Sequence, residues 1–461
     1  MSGVDLLRGL PKVDRALEHP QLLELGLRRR VVRRLVVEAI EAERARVLAA
    51  VHEGRELGSP VADLDAIASR VRAQLDAWLT PHPLPVLNAT GVLLHTNLGR
   101  APLSIAAREA ALAAAGTCDL ELELDTGARG SRLAHVRPLL AALFEAEDVL
   151  VVNNGAAALL LACTALGVPG GVALSRGQHV EIGDGFRVAE MAAAGGAPVI
   201  AIGSTNRTHL RDYEAALERA SALLWVHRSN FEQHGFVREV ELAALGQLAR
   251  ERSVPLIADL GSGLIDRIDR IDPIDAGPTP SEPTVSDYLE QGATIVSCSG
   301  DKLLGGPQTG LLAGSAAAIA RCRRHPLARA LRCGKLALAG LHATAIAHLR
   351  PGVPALPLYT MIGAELAELR ARAARLCAAL GWSPTCVRES VATVGGGSLP
   401  GHELASVALV PRVRSVHEAA ALLRRGQPAM VARVHAGELW IDLRTLVDAD
   451  DEAVLAALRR L

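Results

Sequence analysis

The sequence predicts an α/β fold: a large domain on a buried, mostly parallel sheet, with a helical segment before it and a smaller α+β domain after it. Three observations predict this. Seven short apolar runs, DVLVVNN, GGVALSR, APVIAIG, ALLWVHR, VPLIADLGSG, ATIVSCSGDK and GLLAG, alternate with helix-like stretches. Runs of that length and spacing are βαβ units whose strands are covered on both faces. Two proline-rich joints, TPHPLPVLNATG from Thr80 and RPGVPALPLYTM from Arg350, interrupt the pattern on either side. Half of the 461 residues are hydrophobic, so the chain can bury two or three cores and is not a disordered polymer.

Residues 1–80 form the first segment. LRRRVVRRLVVEAIEAERARVLAAV carries apolar residues at helical spacing with Arg and Glu between them. Arg28, Arg29, Arg30, Arg33 and Arg34 crowd into its start. Such a cluster is either a solvated helix face or a phosphate-binding patch. Residues 81–350 are the large domain. Residues 351–461 mix helices with strands such as SVALVP and ELWIDLR and read as the small domain.

Composition narrows the chemistry. The formal charge is −1, so no bulk field attracts nucleic acid and any such contact is local. Aromatic residues make up 2%, too few for base stacking to dominate. Seven cysteines are scattered without a CxxC pair, which fits reduced thiols in a cytosol and predicts no metal site. The start, MSGVDLLRGLPKVDR, has no apolar signal core, and no run of about 18 apolar residues follows. The expectation is a soluble cytoplasmic protein with no membrane contact. No GxxxxGK[ST] loop is present, which excludes a P-loop NTPase.

In SCSGDKLLGGPQTG, Lys302 follows the strand ATIVSCS between small residues and a glycine-rich turn. Chemistry in α/β domains gathers at the C-terminal ends of strands. A lysine held there and partly desolvated has a lowered pKa and forms a Schiff base with an aldehyde cofactor. A surface lysine in a turn is the plain alternative, but it would not need small residues on both sides. Pyridoxal 5′-phosphate (PLP) is the natural candidate. Its ring nitrogen needs a carboxylate, and its phosphate needs backbone N–H donors at a helix start. Asp259 ends the strand VPLIAD one βαβ unit before Lys302. Gly155, Ala156 and Ala157 open the helix after DVLVVNN, and Ser297 and Ser299 add hydroxyls from the other side.

With SGDKLLGGPQTG stand NATGVLLHTNLGRAPLS, SRGQHVEIGDGFR, GSTNRTHLRDYE, VHRSNF and HPLARALRCGKL. Together they resemble the bacterial selenocysteine synthases, the L-seryl-tRNA(Sec) selenium transferases, over nearly the whole chain. The resemblance implies an aspartate-aminotransferase-like, fold-type I PLP enzyme. It implies conversion of L-seryl-tRNA(Sec) to L-selenocysteinyl-tRNA(Sec) by β-elimination of the serine hydroxyl and addition of selenium from selenophosphate to an aminoacrylyl-tRNA. Lys302 would hold the cofactor and act as base, and Asp259 would hold the ring nitrogen's proton. Arg100, Arg329 and Arg332 would line the selenium-donor pocket. On a helix, the spacing of the last two would put them on one face. The N-terminal domain would grip the tRNA, and a homodecamer of five dimers would carry sites at dimer interfaces. After SRG the chain has Gln178 and His179 where an acidic or apolar residue is expected. His179, His227 and His95 are the candidates for stacking on the ring. The competing readings are a PLP lyase for a free amino acid or amino sugar acid, and a tRNA-binding protein with an inactive PLP site.

Overall fold

The computed structural model describes residues 7–53, 57, 60–181, 185, 187–228, 233–266, 282–352, 354–399, 402–447 and 450–461. Residues 182–184 and 186 of the SRG motif and 229–231 of VHRSNF lie outside the described residues. The chain divides into two compact units, Met1–Pro85 and Val86–Leu461.

The first unit is helical. Its two long helices are α1 (Arg29–His52) and α2 (Leu64–Leu79). Val32, Leu35, Val36 and Ile40 of α1 recur at helical spacing and are buried with Ile67, Ala68, Val71 and Leu75 of α2. Asp63 caps α2 by accepting the Ala66 N–H at 2.9 Å. One charged residue lies inside this packing. Glu43 of α1 is 1% exposed and accepts from Arg46 at 2.7 Å, Arg70 of α2 at 2.9 Å and the Ala62 N–H at 2.8 Å. A single carboxylate thus ties both helices to the loop between them.

In the second unit, a seven-stranded sheet has the order β2-β8-β7-β6-β5-β3-β4. Its strands are β2 (Asp148–Val152), β3 (Val172–Ser175), β4 (Val199–Ile202), β5 (Ala222–Val226), β6 (Leu256–Gly261), β7 (Ile295–Ser299) and β8 (Gly310–Gly314). Only β8 is antiparallel to its neighbours β2 and β7; the other pairings are parallel. The parallel strands therefore end on one edge. That edge carries the turn from β2 into helix α3 (Gly155–Gly167), Asp259 in β6 and Lys302 after β7.

A second sheet of five strands runs β1-β11-β12-β10-β9. It comprises β1 (Val86–Ala89), β9 (Val387–Thr393), β10 (Glu403–Leu409), β11 (Ala429–His435) and β12 (Glu438–Asp442). The Asp442 carboxylate, fully buried, accepts from Ser390 of β9 at 2.7 Å and Ser406 of β10 at 2.6 Å. β1 pairs in parallel with β11, with Val86 opposite Ala429. The chain after the first proline-rich joint therefore enters the small sheet before it reaches the large one. Sequence reading put this segment with the large domain, because four residues, VLNA, carry no sign of a partner so far along the chain.

The arginines and the Ala62 N–H hold the Glu43 carboxyl down at about 2, against the opposing effect of burial. Its folded value lies below its unfolded one. Its contribution is therefore full at neutral pH and is lost as pH falls from the ordinary carboxylate range towards about 2. Glu43→Ala should destabilise the helical unit by about 2 kcal/mol, less than for a fully buried pair because both arginines stay partly solvated. Hydrogen exchange of the full-length protein at pH 7 reads this as lost protection in α1 and α2, with protection in residues 86–461 unchanged.

Candidate active site

Lys302 is held by its neighbours. After β7 the chain folds back on itself: Gly306 N–H donates to Gly300 O at 2.8 Å, and Gly305 N–H donates to Lys302 O at 2.9 Å. The two leucines that follow the lysine are fully buried. Leu303 N–H donates to Ser262 O at 2.9 Å, and the Leu303 carbonyl accepts from Tyr359 Oη at 2.9 Å. The Leu304 carbonyl accepts from His348 Nε2 at 2.9 Å. So fixed, Lys302 is only 5% exposed, and Nζ has no hydrogen-bond partner among the described residues. Burial pushes the amine below the ordinary lysine range. Asp259 opposes that shift and Arg100 adds to it.

Asp259 stands on β6 in register with Ser297 of β7. Ser297 Oγ donates to Asp259 Oδ1 at 2.7 Å. Burial pushes the carboxyl up, while Ser297, Lys302 and His227 favour its charged form. This corrects the expectation for Ser297: its hydroxyl is engaged by Asp259 and not free for a phosphate. Ser299 lies against the start of α3. A Cβ on Gly155 would collide with Ser299 Oγ, so the start of α3 lies directly against the end of β7. Asn154 caps α3 by accepting the Ala157 N–H at 2.8 Å. Of the three expected N–H donors, Ala157 is therefore already paired, which leaves Gly155 and Ala156 at the positive end of a 13-residue helix.

The histidines differ in their surroundings. The His227 N–H donates to Asp259 O at 2.9 Å. Its ring is engaged by Tyr288 Oη at 3.2 Å from Nδ1, by Glu282 at 3.6 Å from Nε2 and by Trp225, stacked at 6.2 Å. Glu282 is buried, and its Oε1 has no partner among the described residues. His95 precedes the turn Thr96–Leu98, with Nδ1 unpaired. His179 is exposed just past β3 and its ring has no partner among the described residues. Partial burial and Arg176 lower its pKa. Gln178 beside it is buried and bridges Glu239 and the Val226 N–H, a structural clamp on the end of β5.

Arg100 adopts a left-handed backbone, with φ of 61°. Its Nη1 donates to Asp301 Oδ2 at 2.8 Å, beside Lys302. Asp301 is buried, and sequence reading passed over it as a neighbour of the lysine. Arg329 and Arg332 do not share a helix face as their spacing suggested. The helix is Pro326–Ala330, and Arg332 lies beyond it in an extended bridge to Val152 of β2. The reason is tertiary: the Asn153 N–H donates to Leu331 O at 3.0 Å, which draws the segment alongside the β2 end. Arg332 reaches Glu121 at 3.4 Å, where Arg132 at 3.0 Å and Arg129 at 3.3 Å also converge. Arg329 is exposed, with no ion-pair partner among the described residues. In the helical unit Arg28, Arg29, Arg30, Arg33 and Arg34 are all exposed. Arg34 donates to Glu38 at 2.7 Å, and the other four have no ion pair among the described residues. No acid occupies the first turn of α1.

A lysine with a lowered pKa, a carboxylate on the adjoining strand and free N–H groups at a helix start suit an aldehyde cofactor that bears a phosphate. Comparison with known proteins agrees. The profile of the L-seryl-tRNA selenium transferase family matches residues 86–447. The L-seryl-tRNA(Sec) selenium transferase of Moorella thermoacetica is 40% identical over 99% of this chain and 97% of its own. That of Desulfovibrio desulfuricans is also 40% identical over 99% of this chain and 97% of its own. Among solved structures, a D-glucosaminate-6-phosphate ammonia-lyase superposes with a TM-score of 0.56 at 21% identity, covering 83% of this chain and 98% of that one. The fold is the aspartate-aminotransferase-like one of fold-type I PLP enzymes. No described helix is long and apolar enough to cross a membrane. Matched along nearly its full length, the chain belongs to the L-seryl-tRNA selenium transferase family.

Proposed function

We propose that the chain converts L-seryl-tRNA(Sec) to L-selenocysteinyl-tRNA(Sec), with PLP as cofactor and selenophosphate as donor. The observation that carries this reading is Lys302: a buried, unpaired lysine beside Asp259, in a chain alike to selenium transferases from end to end. The residues present fit the cofactor. Gly155 leaves room only for backbone against Ser299, and the N–H groups of Gly155 and Ala156 suit a phosphate. When bound, PLP supplies an aldehyde carbon for amines and a ring that draws electrons from the carbon beside the bound nitrogen.

Lys302 holds the cofactor between turnovers. Burial lowers its pKa and so favours the uncharged amine, the form that takes the serine Cα proton. Asp259 holds a proton at the ring nitrogen, and Ser297 Oγ keeps its carboxylate oriented. His179, whose ring has no partner among the described residues, is the proposed ring to stack on the cofactor, ahead of His227, which Tyr288 and Glu282 engage. The β C–O bond breaks and the hydroxyl leaves as water; a C–Se bond to selenophosphate selenium forms in its place, and water cleaves the P–Se bond to release phosphate, with no net redox change. Selenophosphate is a small anion, for which guanidinium forks are suited. Arg100, Arg329 and Arg332 are its proposed ligands. The unpaired arginines at the start of α1, where the helix dipole already favours anions, are the proposed grip on the tRNA backbone. Ile105, Leu112 and Leu124 are 66%, 77% and 73% exposed, apolar area that suits burial between copies in a ring of five dimers.

Purified protein supplied with PLP and selenophosphate should convert seryl-tRNA(Sec) and leave the ordinary serine tRNA unchanged. Turnover of a free amino sugar acid with no discrimination between the tRNAs would turn the assignment to a lyase. Borohydride reduction should fix the cofactor on Lys302 in the wild type and on nothing in Lys302→Ala. Arg329→Ala should raise KM for selenophosphate about tenfold while cofactor content is unchanged. Lost cofactor with an unchanged donor KM would overturn that role. Replacing Arg29, Arg30 and Arg33 together by Ala should weaken tRNA binding and lower its salt dependence by about two to three charges, read from affinities across a salt series.

A further inference from the structure

Between β9 and β10 the chain runs Val394-Gly395-Gly396-Gly397-Ser398-Leu399. The three glycines hold φ of 73°, 66° and 70°, a left-handed run that residues with side chains avoid. The run sits on Leu94: Leu94 N–H donates to Val394 O at 2.8 Å, and a Cβ on Gly396 would lie 3.0 Å from Leu94 Cβ. The next residue, His95, accepts the Arg100 N–H at 3.1 Å, and Arg100 holds Asp301 beside Lys302. Leu399 shares one apolar cluster with Leu94, Leu264 and Leu303. The loop therefore borders the lysine turn.

The Ser398 N–H closes the turn by donating to Gly395 O at 3.2 Å, but other polar atoms of the loop have no partner among the described residues. The Gly396 and Gly397 N–H groups have no partner among the described residues. Ser398 is 2% exposed, and its Oγ has no partner there either. Ten buried side-chain polar atoms lack partners among the described residues, and four belong to His95, Arg100, Ser398 and His402, on this loop and the segment beneath it. Proteins rarely leave such atoms unsatisfied, and a concentration of them beside the lysine turn points to a ligand that completes them.

Seryl-tRNA presents its serine carboxyl as an ester. An ester carbonyl is a neutral acceptor for N–H and O–H donors, and the ribose beyond it carries hydroxyls. We infer that the Gly396–Ser398 loop binds the ester carbonyl of the aminoacylated tRNA end, with His95 and His402 placed for the terminal ribose. This rests on the seryl-tRNA reading of the same site.

Ser398→Ala in the full-length, PLP-loaded enzyme tests it. The hydroxyl has no partner among the described residues, so its removal is expected to be neutral or stabilising for the fold. The expected result is unchanged Tm and cofactor content, KM for seryl-tRNA(Sec) raised about tenfold, and unchanged values for selenophosphate KM and deacylated tRNA(Sec) Kd. An unchanged seryl-tRNA(Sec) KM overturns the inference. So does a change confined to selenophosphate, which makes the loop a donor-anion site, or a loss of cofactor, which makes Ser398 structural. Wild-type enzyme that fails to convert seryl-tRNA(Sec) sinks the parent reading, a result visible before any variant is made.

Discussion

The site depends on keeping one amine out of water without giving it a fixed partner. A lysine in that state is unfavourable in itself, and a mobile turn would let it swing out to solvent. Leu303 and Leu304 prevent this. Both side chains are buried, and their backbone groups are tied to Ser262, Tyr359 and His348. Tyr359 belongs to the helix Pro357–Gly363, past the large sheet, so that helix holds the lysine turn from the far side. Anchorage on both faces is what makes a reactive amine compatible with a stable fold.

The rest of the arrangement follows from strand order. Parallel strands β6 and β7 adjoin, so Asp259 and the lysine turn leave the sheet side by side. β8 stands between β7 and β2, yet the start of α3 reaches across to Ser299. Electrostatics then grades the cleft. Lys302 feels both Asp259 and the Arg100–Asp301 pair, while Glu121 gathers Arg129, Arg132 and Arg332. The two groups of cations are thus pinned by different carboxylates.

What could be read in the sequence was what local pattern encodes. Short apolar runs gave the large sheet, and small residues around Lys302 marked a crowded strand end. What could not be read was set by distant contacts. Ser297 and Ser299 are alike in sequence, but only the fold decides that one meets Asp259 and the other Gly155. Arg332 left its expected helix because Asn153, far earlier in the chain, holds Leu331. Glu282 stands in no motif, Asp301 is marked only as the neighbour of Lys302, and Asn154 shows as the cap of α3 only once the Ala157 N–H is seen to donate to it.

Strand order also bears on how the chain is made. In each sheet of residues 86–461 the first strand to leave the ribosome waits for one of the last. Among the described strands, the sheet neighbour of β2 is β8, and that of β1 is β11, which ends at His435. Until those residues emerge, β2 and β1 are open edges that invite wrong partners. A nascent chain therefore cannot take up a cofactor in stages. The turn from β2 into α3 and the lysine turn come together only once Gly310–Gly314 has been translated and seated, so cofactor capture waits until about two-thirds of the polypeptide is made.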